Sequence, residues 1–244
     1  MGVSDKGIDG ERRFPPTSWS AIRGAQDPEA PDYQRSLATL VETYWKPIYC
    51  MIRRSWARTD ADAKDLTQDF FATVILHREL ARGVDPNLGS FRTVLKASLT
   101  RFLKNAFRDA HRDKRGGGAP VLSLDGADGA ALFADAAALP ADQLFDLAWR
   151  QRVIEQATAR TEQSLAAEGK PDALTVWRRY DLAVERTTAS YASLGAELGL
   201  TAPQVKHALL HARAVFADTV SEVVRNYVDG PEELTRELRE LFGG

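Results

Sequence analysis

A single cysteine, Cys50, in 244 residues excludes an intrachain disulfide. It sits in an apolar helical stretch, which suits a small core residue better than a nucleophile or a ligand. Long apolar runs are missing too, and none reaches the roughly 20 residues that a membrane helix needs. The first residues, with Asp5, Lys6, Asp9, Glu11, Arg12 and Arg13, hold no apolar signal-peptide core. The expectation is a cytoplasmic protein without a membrane partner. Neither sign of charge is in large excess, 32 Lys and Arg standing against 34 Asp and Glu. Any nucleic-acid surface must therefore come from local segregation of charge. Catalytic signatures are lacking: there is no Gly-rich phosphate loop, no nucleophile elbow and no HExxH. His207 and His211 stand four apart, but no Cys or acidic residue lies at ligand spacing beside them. No metal, no cofactor and no enzymatic activity are expected.

What the chain has is helical periodicity, with no strand-like alternation and no repeat, so the fold class is all-α. Residues 1–13 are polar and aperiodic and are expected to be disordered. Phe14-Pro15-Pro16-Thr17 leads into a short helix over 19–24, with Thr17 or Ser18 as its cap. Leu37, Leu40, Val41, Tyr44, Trp45, Ile48 and Ile52 follow helical spacing. Pro47 falls inside that run and predicts two helical pieces meeting there. Asp60 is placed as the cap of the next helix, whose apolar stripe is Ala63, Leu66, Phe70, Val74 and Ile75. A turn over 85–90, with Ser90 as cap, precedes a long helix from Phe91 to about Lys114. Gly116-Gly117-Gly118 then breaks the chain. From there to Trp149 five aspartates, Asp146 among them, face no lysine or arginine. This Ala- and Gly-rich acidic stretch, 116–145, is expected to be a flexible linker between two helical domains, 14–115 and 146–228. After Asp229-Gly230-Pro231 a short amphipathic tail helix ends the chain within 229–244.

Three segments carry chemistry. Between Phe91 and Arg115 lie Arg92, Lys96, Arg101, Lys104, Arg108, Arg112, Lys114 and Arg115, opposed only by Asp109 and Asp113, for a local charge of +6. Clustered cations on a helix can track a phosphate backbone by displacing its counterions. Asn105 stands among them. Phe102, Phe107 and His111 are interleaved and could stack on unpaired bases. For the two phenylalanines a place in the core fits better, whereas the massed cations fit nucleic acid.

The second segment runs from Tyr191 to Phe216. Leu194, Leu198 and Leu200 form an apolar face, and Gly199 suits the left-handed residue that closes a helix. Thr201-Ala202-Pro203-Gln204 has capping-box spacing. Val205, Leu209, Ala212 and Phe216 then make a buried stripe, leaving Gln204, Lys206, His207, Ala208, His211 and Arg213 outside. This is helix-turn-helix patterning, in which the second helix reads bases in the major groove. The pattern alone leaves an ordinary helical hairpin equally open. The third segment is acidic: Asp62, Asp65 and Asp69 form one stripe with Gln68 beside it. The helix dipole accounts for Asp60 and Asp62 near the helix start. Gln68 and Asp69 lie a turn further in, where an arginine-bearing partner would account for them.

Taken together, Asp65-Leu66-Thr67-Gln68-Asp69-Phe70-Phe71, the basic segment and the helix-turn-helix resemble the extracytoplasmic-function sigma factors, two-domain initiation factors of bacterial RNA polymerase. The resemblance covers nearly all of 33–228. It implies a sigma-two-like domain in which Asp62, Asp65, Gln68 and Asp69 dock on core RNA polymerase. It implies that Arg92, Lys96, Arg101, Lys104, Asn105, Arg108 and Arg112 capture the opened minus-ten element. A sigma-four-like domain would read the minus-thirty-five element of promoter DNA through Gln204, Lys206, His207, His211 and Arg213. Lys64 stands where the family usually carries Glu or Gln. With some subsets of the family answering to serine/threonine kinases, Thr59 and Thr67 become candidate phosphosites, each phosphate adding roughly −1.5 to −2 charge to the docking face. An anti-sigma factor is the other regulatory partner the resemblance implies. The rival expectation is a helix-turn-helix transcription regulator that does not use core polymerase.

Overall fold

The computed structural model describes residues 28–56, 59–75, 91–113, 139–183, 190–228 and 230–243. The expected disordered start, the helix over 19–24, the turn over 85–90 and positions 116–138 of the acidic stretch lie outside the described residues. Among the described residues every regular element is helical. No helix among them is long and apolar enough to cross a membrane.

Helix α1 (Tyr33–Trp56) buries Leu40, Tyr44, Ile48 and Ile52, one per turn along a single face. It continues through Pro47 rather than dividing there, contrary to the expectation from sequence. A mid-helix proline costs about 3 kcal/mol. Four fully buried side chains, at about 1.5–3 kcal/mol each, outweigh that. Helix α2 (Asp60–Phe70) runs into a π-helical turn, Phe71–Ile75. Its cap is Thr59, not Asp60: Thr59 is extended, and its hydroxyl oxygen accepts the Asp62 N–H at 3.2 Å. Helix α3 (Phe91–Asp113) contributes Phe91, Leu95, Leu99 and Leu103 as its inward stripe.

Helix α4 (Ala141–Ala167) starts inside the stretch expected to be linker. It packs along α1, where Cys50 is buried against Leu144 and Ala148. Burial pushes the Cys50 thiol up to about 11, which suits an inert core residue. Helices α5 (Pro171–Tyr180), α6 (Tyr191–Leu198) and α7 (Ala202–Arg225) follow, and α8 (Pro231–Phe242) ends the described chain.

The principal core does not respect the division at 116–145. Leu40, Ile52, Phe70 and Leu95 share it with Trp149 and Val153 of α4, with Val220 and Val224 of α7, and with Leu241 of α8. A second, smaller core joins Leu165, Val176, Trp177, Leu194, Val205 and Leu209. Phe216, half-buried, touches both cores, so α7 links the helix-turn-helix to the rest.

Candidate nucleic-acid interface

The stripe of α3 fixes where its cations go. Arg101, Lys104 and Arg108 emerge on the exposed side, as does Asn105, which accepts a hydrogen bond from Arg108. Together with Met51 and Ser55 of α1 and with Thr100, they line a cleft of about 630 Å³. Phe107 lies at its edge and is 52% exposed, not in the core as sequence suggested. Phe102 does turn inward, edge-on to Phe70 at 5.4 Å between centroids. Three cations and one exposed aromatic ring around a cleft suit a phosphate backbone with an unpaired base.

Arg92 and Lys96 are corrections to the expected surface. Arg92 is 5% exposed. Its Nη1 donates to Asp146 at 2.6 Å, its Nε to Glu237 at 3.1 Å, and its Nη2 to Glu240. The guanidinium lies 4.4 Å over the Trp149 ring. Burial opposes the Arg92 charge, yet Glu237 and Asp146 outweigh it and hold the guanidinium protonated beyond its ordinary range. Lys96 donates to both oxygens of Asp146, at 3.0 and 2.9 Å. Arg92 therefore faces carboxylates of α4 and α8 rather than solvent, and Lys96, half-buried, faces the Asp146 carboxylate of α4. The side chain of Arg112 lies outside the described residues.

Helices α6 and α7 form a closed helix-turn-helix. Gly199 ends α6 at φ +70°, and the Leu200 N–H donates to the Gly195 carbonyl at 2.8 Å. The capping box at Thr201 is complete, with the Gln204 amide oxygen accepting from the Thr201 N–H and hydroxyl at 2.8 Å each. Gln204 thereby commits its acceptor to the turn. Lys206 and His207 are exposed, whereas Ala208, expected outside, is buried. Arg213 makes a two-pronged bond to Asp181 at 2.8 and 2.7 Å, which raises its pKa, and lies 5.8 Å over the Tyr180 ring. His211 Nε2 lies 2.7 Å from Glu168, whose carboxyl that bond holds below its usual range. The predicted reading set is thus split. Lys206 and His207 face out, while Gln204, His211 and Arg213 brace the turn and the neighbouring helices.

On α2, Asp65, Gln68 and Asp69 are exposed and Asp62 is half-exposed, so the acidic stripe forms one outward face. Thr67 is a correction. It is fully buried and donates its hydroxyl to the Ala63 carbonyl at 2.6 Å, which puts it out of a kinase's reach. Thr59 is exposed. Asp60 anchors the face to α1 by accepting the Tyr49 hydroxyl proton at 2.6 Å, and it also pairs with Lys64 at 3.0 Å. Burial, then the bond to Asp60, pushes Tyr49 up to about 12 from an ordinary value of 10.0. A raised pKa means that Tyr49 stabilises the fold fully below pH 10 and ceases to do so as pH rises through about 12. Tyr49→Phe is expected to cost about 0.5–1 kcal/mol at neutral pH, the net worth of one partly solvated hydrogen bond. Urea midpoints of wild type and variant should converge between pH 10 and 12. A constant gap over that range would place the Tyr49 proton elsewhere.

Sequence reasoning missed Asp146, Glu237 and Glu240, because acidic residues in an Ala-rich stretch and on a tail helix carry no sign of an inward partner. It also missed Gly195, where an added Cβ would sit 2.4 Å from the Leu200 carbonyl oxygen. Among the described residues no three His, Cys, Asp or Glu side chains gather as a metal ion requires. No protein-family model, curated protein or solved structure matches the chain.

Proposed function

We propose that the chain is a sigma factor of the extracytoplasmic-function type: a non-enzymatic subunit that acts in the cytoplasm and directs core RNA polymerase to promoters. The observation that carries this is a pair of oppositely charged exposed surfaces carried by one core. Exposed Asp65, Gln68 and Asp69 on α2 stand as an acidic docking surface. The cleft of Arg101, Lys104, Arg108 and Phe107 on α3 offers cations and an aromatic ring to opened DNA. The helix-turn-helix of α6 and α7 supplies a duplex reader, with Lys206 and His207 outward. In this proposal 14–115 and 146–228 act as sigma-two-like and sigma-four-like units that separate on the polymerase. Strand opening would draw on binding energy, with contacts to extruded bases offsetting their unstacking. Control by an anti-sigma factor or by a kinase acting at Thr59 belongs to the same proposal.

Co-elution with bacterial core RNA polymerase tests it. Wild type is expected to co-elute, and the Asp65→Arg, Gln68→Ala double variant to be lost from the polymerase peak. If folded wild type fails to co-elute, while duplex DNA binding persists, a regulator that works without core polymerase is the better account.

A further inference from the structure

We propose that α8 is an internal competitor for a phosphate-binding surface centred on Arg92, and that this surface becomes available to nucleic acid only when α8 leaves. The inference rests on the nucleic-acid role of α3 proposed above. At the closed junction two cations, Arg92 and Lys96, meet three carboxylates, from Asp146, Glu237 and Glu240. Departure of α8 takes away two of the three. What remains is Arg92 and Lys96 against Asp146 alone, a net positive site on the helix that carries Arg101, Lys104 and Arg108. A phosphate can fill the place of the departed carboxylates, since a guanidinium binds both in the same forked geometry.

Several features make α8 releasable. Its apolar hold is narrow: Leu241 is buried, Leu234 and Leu238 are only half-buried, and Phe242 is 63% exposed. No side chain caps its N-terminus, and it joins the preceding chain through Gly230 at φ +98°. The closed packing is also imperfect beneath it. Trp149 Nε1 and Tyr227 Oη, both buried in the same core, have no hydrogen-bond partner among the described residues. Such orphaned groups weigh against the closed form and are relieved when water enters. A helix with a narrow apolar hold, kept in place chiefly by acidic residues that occupy a basic site, is suited to competition rather than to permanent structure.

The full-length chain tests this with a fluorescein-labelled single-stranded oligonucleotide of mixed sequence at low salt, beside amide exchange of α8. Glu237→Gln, Glu240→Gln removes the competing charge. Leu241→Asp loosens the apolar hold and leaves every ion pair in place. The second variant makes the chain more negative, so any tighter binding of a polyanion must come from release of α8. Both variants are expected to lose protection in α8, to keep it in α1, and to bind at least about tenfold tighter, as for a latch open in no more than about a tenth of the molecules. Freed α8 with unchanged oligonucleotide affinity would overturn the competition. Continued protection of α8 in both variants would overturn its release. Absence of binding by every variant would remove the nucleic-acid role of α3 and this proposal with it. Unchanged affinity beside normal polymerase co-elution would remove this proposal alone.

Discussion

Arg92→Ala is expected to lower the unfolding free energy by about 3–5 kcal/mol, the cost of stripping one partner from a buried ion pair. Glu237 is 2% exposed and would keep its charge without the guanidinium that offsets its desolvation. Asp146 retains Lys96 and is more accessible, so it contributes less to the loss. Glu240, with its side chain 47% exposed, can return to water and contributes little. The cation–π contact with Trp149 disappears as well, removing about 0.5–2 kcal/mol of the same total. Because the stranded carboxylate sits on α8, that helix should be first to lose amide protection. Replacing the pair together, as Arg92→Met with Glu237→Leu, should recover most of the stability, since an apolar pair of similar volume avoids desolvating either charge. Urea unfolding of the three proteins decides the matter. A loss below about 1 kcal/mol for Arg92→Ala would match a surface cation and would remove the clamp from the account of this junction.

The same residue marks how far the sequence could be read. Helical class, the basic run on α3 and the helix-turn-helix are written in local signals: periodicity, Gly199, and the spacing of Thr201 and Gln204. Those signals involve residues a few positions apart, and the fold keeps them. Which cations point inward depends on partners far along the chain. Asp146 is 54 residues from Arg92, and Glu237 is 145 away. No pattern around Arg92 announces either. Thr67 illustrates the converse error. A threonine between acidic residues looks exposed, yet its hydroxyl is satisfied by the carbonyl one turn back, so it can be buried without penalty. Pro47 reads as a break because the local cost of a proline is legible in sequence while the packing that outweighs it is not. Composition makes the acidic stretch before Trp149 look like linker, although Leu144, Phe145, Ala148 and Trp149 trace one buried face of α4.

Gly195→Ala is expected to disable the helix-turn-helix more severely than Gly199→Ala, although Gly199 is the glycine that sequence singles out. At Gly199 the difficulty is conformational. Its φ of +70° costs an alanine about 1–2 kcal/mol, but nothing among the described residues lies within 4 Å of an added Cβ. At Gly195 the backbone is helical and the difficulty is space. The added Cβ would stand 2.4 Å from the Leu200 carbonyl oxygen and 3.3 Å from its carbon. Both are backbone atoms of the turn, so no rotamer change can relieve the clash. The Leu200 N–H is simultaneously tied to the Gly195 carbonyl at 2.8 Å, which prevents the turn from backing away without losing that bond. Overpacking of this kind costs about 1–3 kcal/mol, and the broken hydrogen bond adds about 1 kcal/mol. Relief requires α6 to tilt away from α7, which would pull Leu194 out of the core it shares with Val205 and Leu209. The consequence should be local: lost amide protection in α6 and weakened duplex binding, with α1 unaffected because its buried residues belong to the other core. If Gly199→Ala proves the more damaging substitution, the turn in solution is looser than a Cβ at position 195 requires, and the fixed angle between α6 and α7 cannot be what presents Lys206 and His207 to DNA.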